Sequence, residues 1–420
     1  MELSRREVFG AAAASIALAN AASTSARAST AHDELICLDT HLDAPMNFAR
    51  PGWDIMQRHS FDTDLSQVDY PRMLDGKLDG GFFVIYTPQG PLTPEGYQAA
   101  RDAALLRAVE IREMIARNSA HFALAFKASD AADIAAQGKR IVYQSIENSW
   151  PLGTDVTLLR SFHKLGVRLA GPVHFSNNQF ADSATDSKGK MWNGLSPLGK
   201  ALVAEANSLG IVLDQSHASD DVFDHLIEFS RAPIMCSHSG CRAVHDHPRN
   251  LDDDRIKKLA RTGGTIQINS LSAYLVATPP MPALEQAQGA IFQRFRGIED
   301  KSPAETQQIV SEAASQLMAL RKQYPQPRAT FDDYMKHVFH ALDLVGPEHV
   351  GVGADWDGGG GVIGMEDCSK IQKITERLIK AGLKNAELRA IWGGNALRVI
   401  EKAQALAAAS QSLSPMGGGE

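Results

Sequence analysis

This chain is poor in cysteine, in positive charge and in long apolar runs, and each shortage closes off a class of function. Four cysteines in 420 residues, Cys37, Cys236, Cys241 and Cys368, do not make the disulfide framework of a small secreted scaffold. Cys37 falls inside an apolar run and reads as a small buried residue. Cys236 and Cys241 are close enough to bridge across a loop, and spacing leaves that pairing open. The formal net charge is -7 and the basic residues are scattered among acids, so there is no case for nucleic-acid binding. No run is long enough to cross a bilayer. No Gly-rich phosphate loop follows the first strand-like run, which disfavours a nucleotide-binding open sheet. What remains is the composition of a globular enzyme, long enough for one large domain or two smaller ones.

Residues 1–28 read as an address rather than as fold. Arg5-Arg6 precedes a mild apolar stretch from Gly10 to Ala22, too short and too Ala-rich for a membrane anchor. Ala26-Arg27-Ala28 offers a small-x-small cleavage site, with Ala19-Asn20-Ala21 as a competitor. The pattern resembles a twin-arginine signal; the alternative is a chance Arg pair in an ordinary secretory signal. Export of an already folded protein to the periplasm or beyond is therefore expected. Such a route suits a metalloenzyme, because metal can be loaded before secretion. At the other end, residues 408–420 are Ser/Gly-rich and are expected to be disordered.

Between these ends, strand-like runs alternate with helix-like segments. The runs begin at Leu35, Gly80, Ile141, Val167, Ile211, Pro233, Thr265 and Val350, which makes eight. Helical stripes fill the gaps, such as Leu198, Leu202, Ala206 and Leu209 stopping at Gly210, and a stripe opened by the capping cluster Ser219-Asp220-Asp221. This alternation predicts an α/β fold, a (β/α)8 TIM-type barrel over residues 32–405, with a helical insertion over about 276–330 before the last strand. Phe122-Ala123-Leu124-Ala125-Phe126 would be a ninth strand, and we place it outside the barrel.

The ionisable residues fall where such a barrel puts its chemistry. His41, Asp43, Glu147, His174, His217, His238 and Asp355 all sit at C-terminal ends of strand-like runs, and those ends converge on one mouth. Four imidazoles and three carboxylates cannot crowd one cavity unpaired without large pKa shifts. Divalent metal resolves the conflict, and the ligand count fits two ions better than one, with a carboxylate bridging. Such a pair lowers the pKa of bound water and holds a hydroxide. Zinc suits the donors; manganese or cobalt could occupy the same ligands.

These residues lie in an ordered set of motifs. They are Asp39-Thr40-His41-Leu42-Asp43, Ile146-Glu147, Val173-His174-Phe175-Ser176-Asn177, Gly194-Leu195-Ser196-Pro197, Leu213-Asp214-Gln215-Ser216-His217, Ser237-His238-Ser239, Arg249-Asn250, Gly353-Ala354-Asp355-Trp356-Asp357 and Gly394-Asn395-Ala396. The set resembles the membrane (renal) dipeptidase family, a branch of the metal-dependent amidohydrolase-like barrels, across nearly the whole chain after the leader. The resemblance implies that His41 and Asp43 ligate one zinc, His217 and His238 the other, and that Glu147 bridges. It implies that His174 meets the scissile carbonyl, Arg249 holds the substrate's terminal carboxylate, and Asp355 shuttles a proton from the bridging hydroxide to the leaving amine. The implied partners are small dipeptides, L-Xaa-L-Xaa or L-Xaa-D-Xaa, and a homodimer is allowed.

The chain also departs from the family pattern. Asn148-Ser149 stands where Gly-Gly is common, and Leu42 replaces a frequent Asn. Arg249 sits among His245, His247 and Asp252-Asp253-Asp254, so a surface ion pair competes with the substrate role. Asp357 competes with Asp355, since strand alternation places both on one side; Asp355 is favoured because it ends the run. Trp150, Trp192 and Tyr274 line the pocket or pack elsewhere with equal weight. Two other functions remain open: a related amide or lactam hydrolase, and an exported binding protein that has lost catalysis.

Overall fold

Nine strands, all paired in parallel, organise the chain; the computed structural model describes residues 31–413. The arginine pair and both cleavage sites of the leader lie outside the described residues. The strands are β1 (Leu38–Leu42), β2 (Gly80–Ile85), β3 (Phe122–Leu124), β4 (Arg140–Ile146), β5 (Val167–Ala170), β6 (Val212–Leu213), β7 (Met235–Ser239), β8 (Thr265–Ile268) and β9 (Val350–Val352). One run of pairing is β1-β2-β4-β5-β6 and another is β7-β8-β9. A bridge between Asp214 and Met235 joins the two runs, and a bridge between Leu42 and Trp356 brings the far edges together. Eight strands thus curl into the expected TIM-type barrel. β3 is the exception. It pairs with Arg140 to Val142 of β4, below the stretch Gln144 to Ile146 that pairs with β5, and so it lies off the ring.

Parallel strands need crossovers, and the sequence stops each helix cleanly. In the helix Pro197–Leu209, the Ser196 side chain accepts from Gly199 N, proline fills the first turn, and Gly210 ends the helix at φ +71°. A Cβ on Gly210 would stand 2.9 Å from Gln404 Cα, so glycine is required both for its conformation and for the closeness of the last helix. The buried stripe Leu202, Val203 and Ala206 packs this helix inward, and each large apolar side chain so buried is worth about 2 kcal/mol. The segment between β8 and β9 holds the helices Pro282–Gln293 and Pro303–Gln323, then Phe331–Val345, which packs against β8 and β9.

Several boundaries differ from the sequence reading, and the cysteine pairing it left open is decided. β1 begins at Leu38 rather than at Leu35, so His41 lies within the strand. The final helix runs Asn395–Leu413 and carries the chain past residue 408, where the tail was expected to start. Cys236 and Cys241 are buried free thiols, as are the other two, because Cys241 Sγ is turned to the His337 carbonyl and Cys236 Sγ to Gln215.

Candidate active site

The barrel mouth is organised around one carboxylate oxygen. Glu147, at the end of β4, places Oε1 3.0 Å from His217 Nε2, 3.5 Å from His238 Nε2, 3.5 Å from His174 Nε2 and 3.6 Å from His41 Nε2. His41 Nε2 also lies 3.3 Å from Asp43 and 4.0 Å from Asp355. All seven residues predicted from the sequence are therefore gathered into one buried cluster.

Local backbone geometry aims these groups. His217 and Asp355 have φ of +71° and +65°, a left-handed conformation that non-glycine residues seldom adopt. Strain of this kind persists only where surrounding structure fixes it, and it concentrates at functional sites. Asp357 is also left-handed, at φ +68°, which breaks the alternation that would have put it beside Asp355. It turns away instead. Its carboxylate accepts from Gln67 N at 2.5 Å and its own N–H donates to Gln67 Oε1 at 2.8 Å, clamping a neighbouring loop.

Supporting hydrogen bonds fix the ring orientations. Ser237 Oγ donates to Asp214, so His238 Nδ1–H donates to Ser237 Oγ at 2.7 Å and leaves Nε2 as a lone pair facing Glu147. Asp214 in turn accepts from Ser216 N and Ser237 N, each at 2.9 Å. The fully buried Asp39 accepts from His41 N and Ala354 N and so ties β1 to the end of β9. Asn269 Nδ2 donates to Asp355 Oδ2 at 3.1 Å. Sequence reasoning gave no role to Asp214, Ser237 or Asn269, because the Asp214–Ser237 and Asn269–Asp355 contacts join positions that only the fold brings near. The one available signal was position: Asn269 ends the seventh barrel run where other runs end in an ionisable residue.

The electrostatics prepare the cluster for cations. Burial pushes His217 and His238 well below the usual imidazole value, and burial with Arg249 takes His174 down to about 3. Burial opposes charge on His41, but Asp43 and Glu147 outweigh it and lift the ring to about 10. Burial raises Glu147 to about 8 and Asp355 to about 6. Carboxylates pushed toward protonation, three imidazoles held neutral and one charged only through its acid neighbours describe a donor set short of positive charge. His41 Nε2 is buried without a hydrogen-bond partner. Nitrogen and oxygen donors in this arrangement fit divalent metal.

Arg249 completes the site. It is 2 % exposed, donates to the His238 carbonyl at 3.1 Å, and lies over the Tyr274 ring at 5.1 Å. Among the described residues it has no carboxylate ion pair, and its Nε is buried without a partner. The surface alternative fails, because Asp252 is taken by Arg255 and Arg242. His245 and His247 are outside the cluster; His247 Nδ1 accepts from Arg249 N. Of the three aromatic candidates, Tyr274 meets the site, Trp150 is buried in packing, and Trp192 donates to the Asn178 carbonyl at the rim.

Comparison with known proteins gives this geometry its context. The sequence profile of the membrane dipeptidase family, peptidase family M19, matches residues 25–414. Dipeptidase verJ of Clonostachys rogersoniana is 27% identical over 380 residues, 87% of this chain and 84% of its own. The crystal structure of the probable dipeptidase PvdM from Pseudomonas aeruginosa has a TM-score of 0.77 at 28% identity, covering 91% of this chain and 99% of its own. A metallopeptidase from Rhodobacter sphaeroides, crystallised with a phosphinate mimic of the dipeptide L-Ala-D-Ala, shares the fold with a TM-score of 0.68 at 22% identity, over 88% of this chain and 99% of its own. The chain belongs to the membrane dipeptidase family, peptidase family M19, and is a metal-dependent dipeptidase.

Proposed function

We propose that the enzyme cleaves dipeptides of L-Xaa-L-Xaa or L-Xaa-D-Xaa form at a pair of divalent cations, zinc by the chemistry of the donors. His41 and Asp43 would hold one ion, His217 and His238 the other, and Glu147 both. The observation that carries this reading is the convergence of four imidazole Nε2 atoms on Glu147 Oε1 within 3.0–3.6 Å, beside a buried arginine with no acid of its own. Bound there, the ions would supply a Lewis acid for the peptide carbonyl and a water of lowered pKa.

The protein's own groups do the rest. Arg249 seats the terminal carboxylate as a charge-assisted pair in a site shielded from water. His174, held neutral by burial, presents Nε2 to the carbonyl oxygen on which negative charge develops. Asp355 has one oxygen fixed by Asn269 and the other facing the cluster, 4.0 Å from His41 Nε2. That free oxygen takes the proton of the attacking water and returns it to the leaving amine. The L,D arm of the substrate class is supported by the L-Ala-D-Ala mimic bound to the Rhodobacter relative.

Metal analysis of purified protein should give two zinc equivalents per chain, and chelation followed by zinc, manganese or cobalt should abolish and restore cleavage of an L,L and L,D dipeptide library. One tightly held equivalent, or a metal-loaded protein that turns over no dipeptide, overturns the proposal. We read the leader as a twin-arginine signal that would send the enzyme to the periplasm or beyond, and replacing Arg5 and Arg6 together by lysine should then leave active enzyme in the cytoplasm.

A further inference from the structure

We infer that the mouth of this barrel selects dipeptides carrying a bulky apolar side chain, and that Phe175, Leu92 and Met191 form the subsite that receives it. The inference rests on the dipeptidase reading and names its substrate class.

Phe175 follows His174 at the end of the β5 run. Its ring lies 3.9 Å from the His174 ring and 5.1 Å, edge to face, from the His217 ring. Yet the residue is 50% exposed. A phenyl group packed on two imidazoles of the reacting cluster, with its remaining surface open, is a wall for whatever enters. One residue on, at Ser176, begins a cavity of about 560 Å³ between the loops that follow β2 and β5. Leu92 and Met191, 38% and 49% exposed, line it from opposite loops. Exposed large apolar residues are common singly; two lining one cavity, with a third one residue from its edge and packed on the reacting cluster, mark a binding surface.

Several polar groups of the same cavity are already engaged. Asp186 accepts from Asn177 N and Lys188 N, each at 2.8 Å. The Asn177 side chain donates to the Gly189 carbonyl and accepts from Ser183 N. Gln89 accepts from Asn148 Nδ2 at 3.0 Å, and Asn148 Oδ1 accepts from Asn178 Nδ2 at 3.0 Å, so Asn148 ties both cavity loops together. Asn148 is the residue standing where the family pattern favours glycine, and its buried side chain holds the two loops in place. Lys190 pairs with Asp221. Lys188 is the one lining cation with no ion pair among the described residues. What the cavity leaves free is therefore the apolar surface of Leu92 and Met191 together with the Lys188 ammonium, and its edge at Ser176 is next in sequence to Phe175 at the cluster.

The test compares kcat/KM for dipeptides in which each position in turn is Gly, Ala, Leu, Phe, Lys or Glu. The zinc-loaded wild type should prefer Leu or Phe to Gly at one position by about tenfold or more, the discrimination an apolar pocket supplies. Phe175→Ser should reduce that ratio by about tenfold, with metal content unchanged as the control for folding. Met191→Ser, away from the metal cluster, should reduce it in the same direction. A flat wild-type profile, a ratio that survives both substitutions, or a preference for Glu read by Lys188 would overturn the inference. Absence of any dipeptide cleavage would instead overturn the dipeptidase reading, so the two failures are distinct.

Discussion

The Nε2 atoms of His217 and His238 lie 2.9 Å apart, and both point at Glu147 Oε1. Because Ser237 fixes the His238 proton on Nδ1, its Nε2 brings a lone pair to this meeting point. Two imidazoles and a carboxylate that approach so closely in a buried pocket share a cation more comfortably than a proton. His217→Ala should therefore lose one zinc equivalent and retain the other. Metal content by mass spectrometry, alongside dipeptide turnover, checks this; retention of two equivalents would exclude His217 as a ligand.

The hydrogen bond from His238 to Ser237, and from Ser237 to Asp214, orients a ligand without touching substrate. Ser237→Ala should weaken zinc binding by about 10–100-fold, the usual cost of removing a ligand's orienting partner. Competition against a chromophoric chelator measures it. Activity at saturating zinc should recover most of the loss, which an overall folding defect would not allow.

Arg249 is buried and has no carboxylate ion pair among the described residues, and the partner proposed for it is the terminal carboxylate of the substrate. Arg249→Ala should lower kcat/KM for dipeptides by about 10–150-fold, the worth of a hydrogen bond to a charged group. The loss should fall mainly on KM. Arg249→Lys should restore little, since an ammonium lacks the planar fork that meets a carboxylate. Dipeptide amides, which have no terminal carboxylate, should be poor substrates for the wild type and should lose little further in the variant.

Much of this site was legible in the chain, and the reasons are physical. Parallel buried strands read as apolar runs, and a barrel brings their C-terminal ends together, so the positions of His41, Glu147, His217 and His238 pointed to a single cavity. β6, only Val212 and Leu213, was recognisable through the residues that follow it rather than through its length. Other features were hidden. Alternation could not separate Asp355 from Asp357, because both adopt positive φ, and nothing local announces that conformation in an aspartate. Asp214 and Asn269 act through partners 23 and 86 residues away, distances at which pattern carries no information. The burial of Arg249 was also unreadable, since its acidic neighbours suggested a solvated face.

Asp355→Asn preserves the shape of the side chain and, with its amide oxygen toward Asn269 Nδ2, that hydrogen bond, while removing the proposed base. It should lower kcat by about 10²–10⁴-fold, the range for a positioned general acid–base. Zinc content should stay near the wild-type value, because the five proposed ligands, His41, Asp43, Glu147, His217 and His238, are unchanged. A variant that kept wild-type kcat would move the proton transfer to another group, and Glu147 would be the first to examine.

Away from the site, Asp333 offers a test of the fold by pH. The Lys336 ammonium, opposed by partial burial and helped by the Thr330 N–H and hydroxyl, lowers the Asp333 carboxyl from 3.8 to about 2. Together Thr330 and Asp333 form the capping box of the helix Phe331–Val345, which packs against β8 and β9. A carboxyl depressed in the folded state stabilises it when ionised. That contribution is fully present above the unfolded value near 4 and is lost as pH falls through the folded value near 2. Asp333→Asn should thus cost about 1 kcal/mol at pH 7, a fall in Tm of about 1–2 °C in a chain of this length. The gap between wild type and variant should narrow between pH 4 and pH 2 in thermal melts. A gap that stays constant across that interval would show that the box works through its neutral hydrogen bonds and not through the charge.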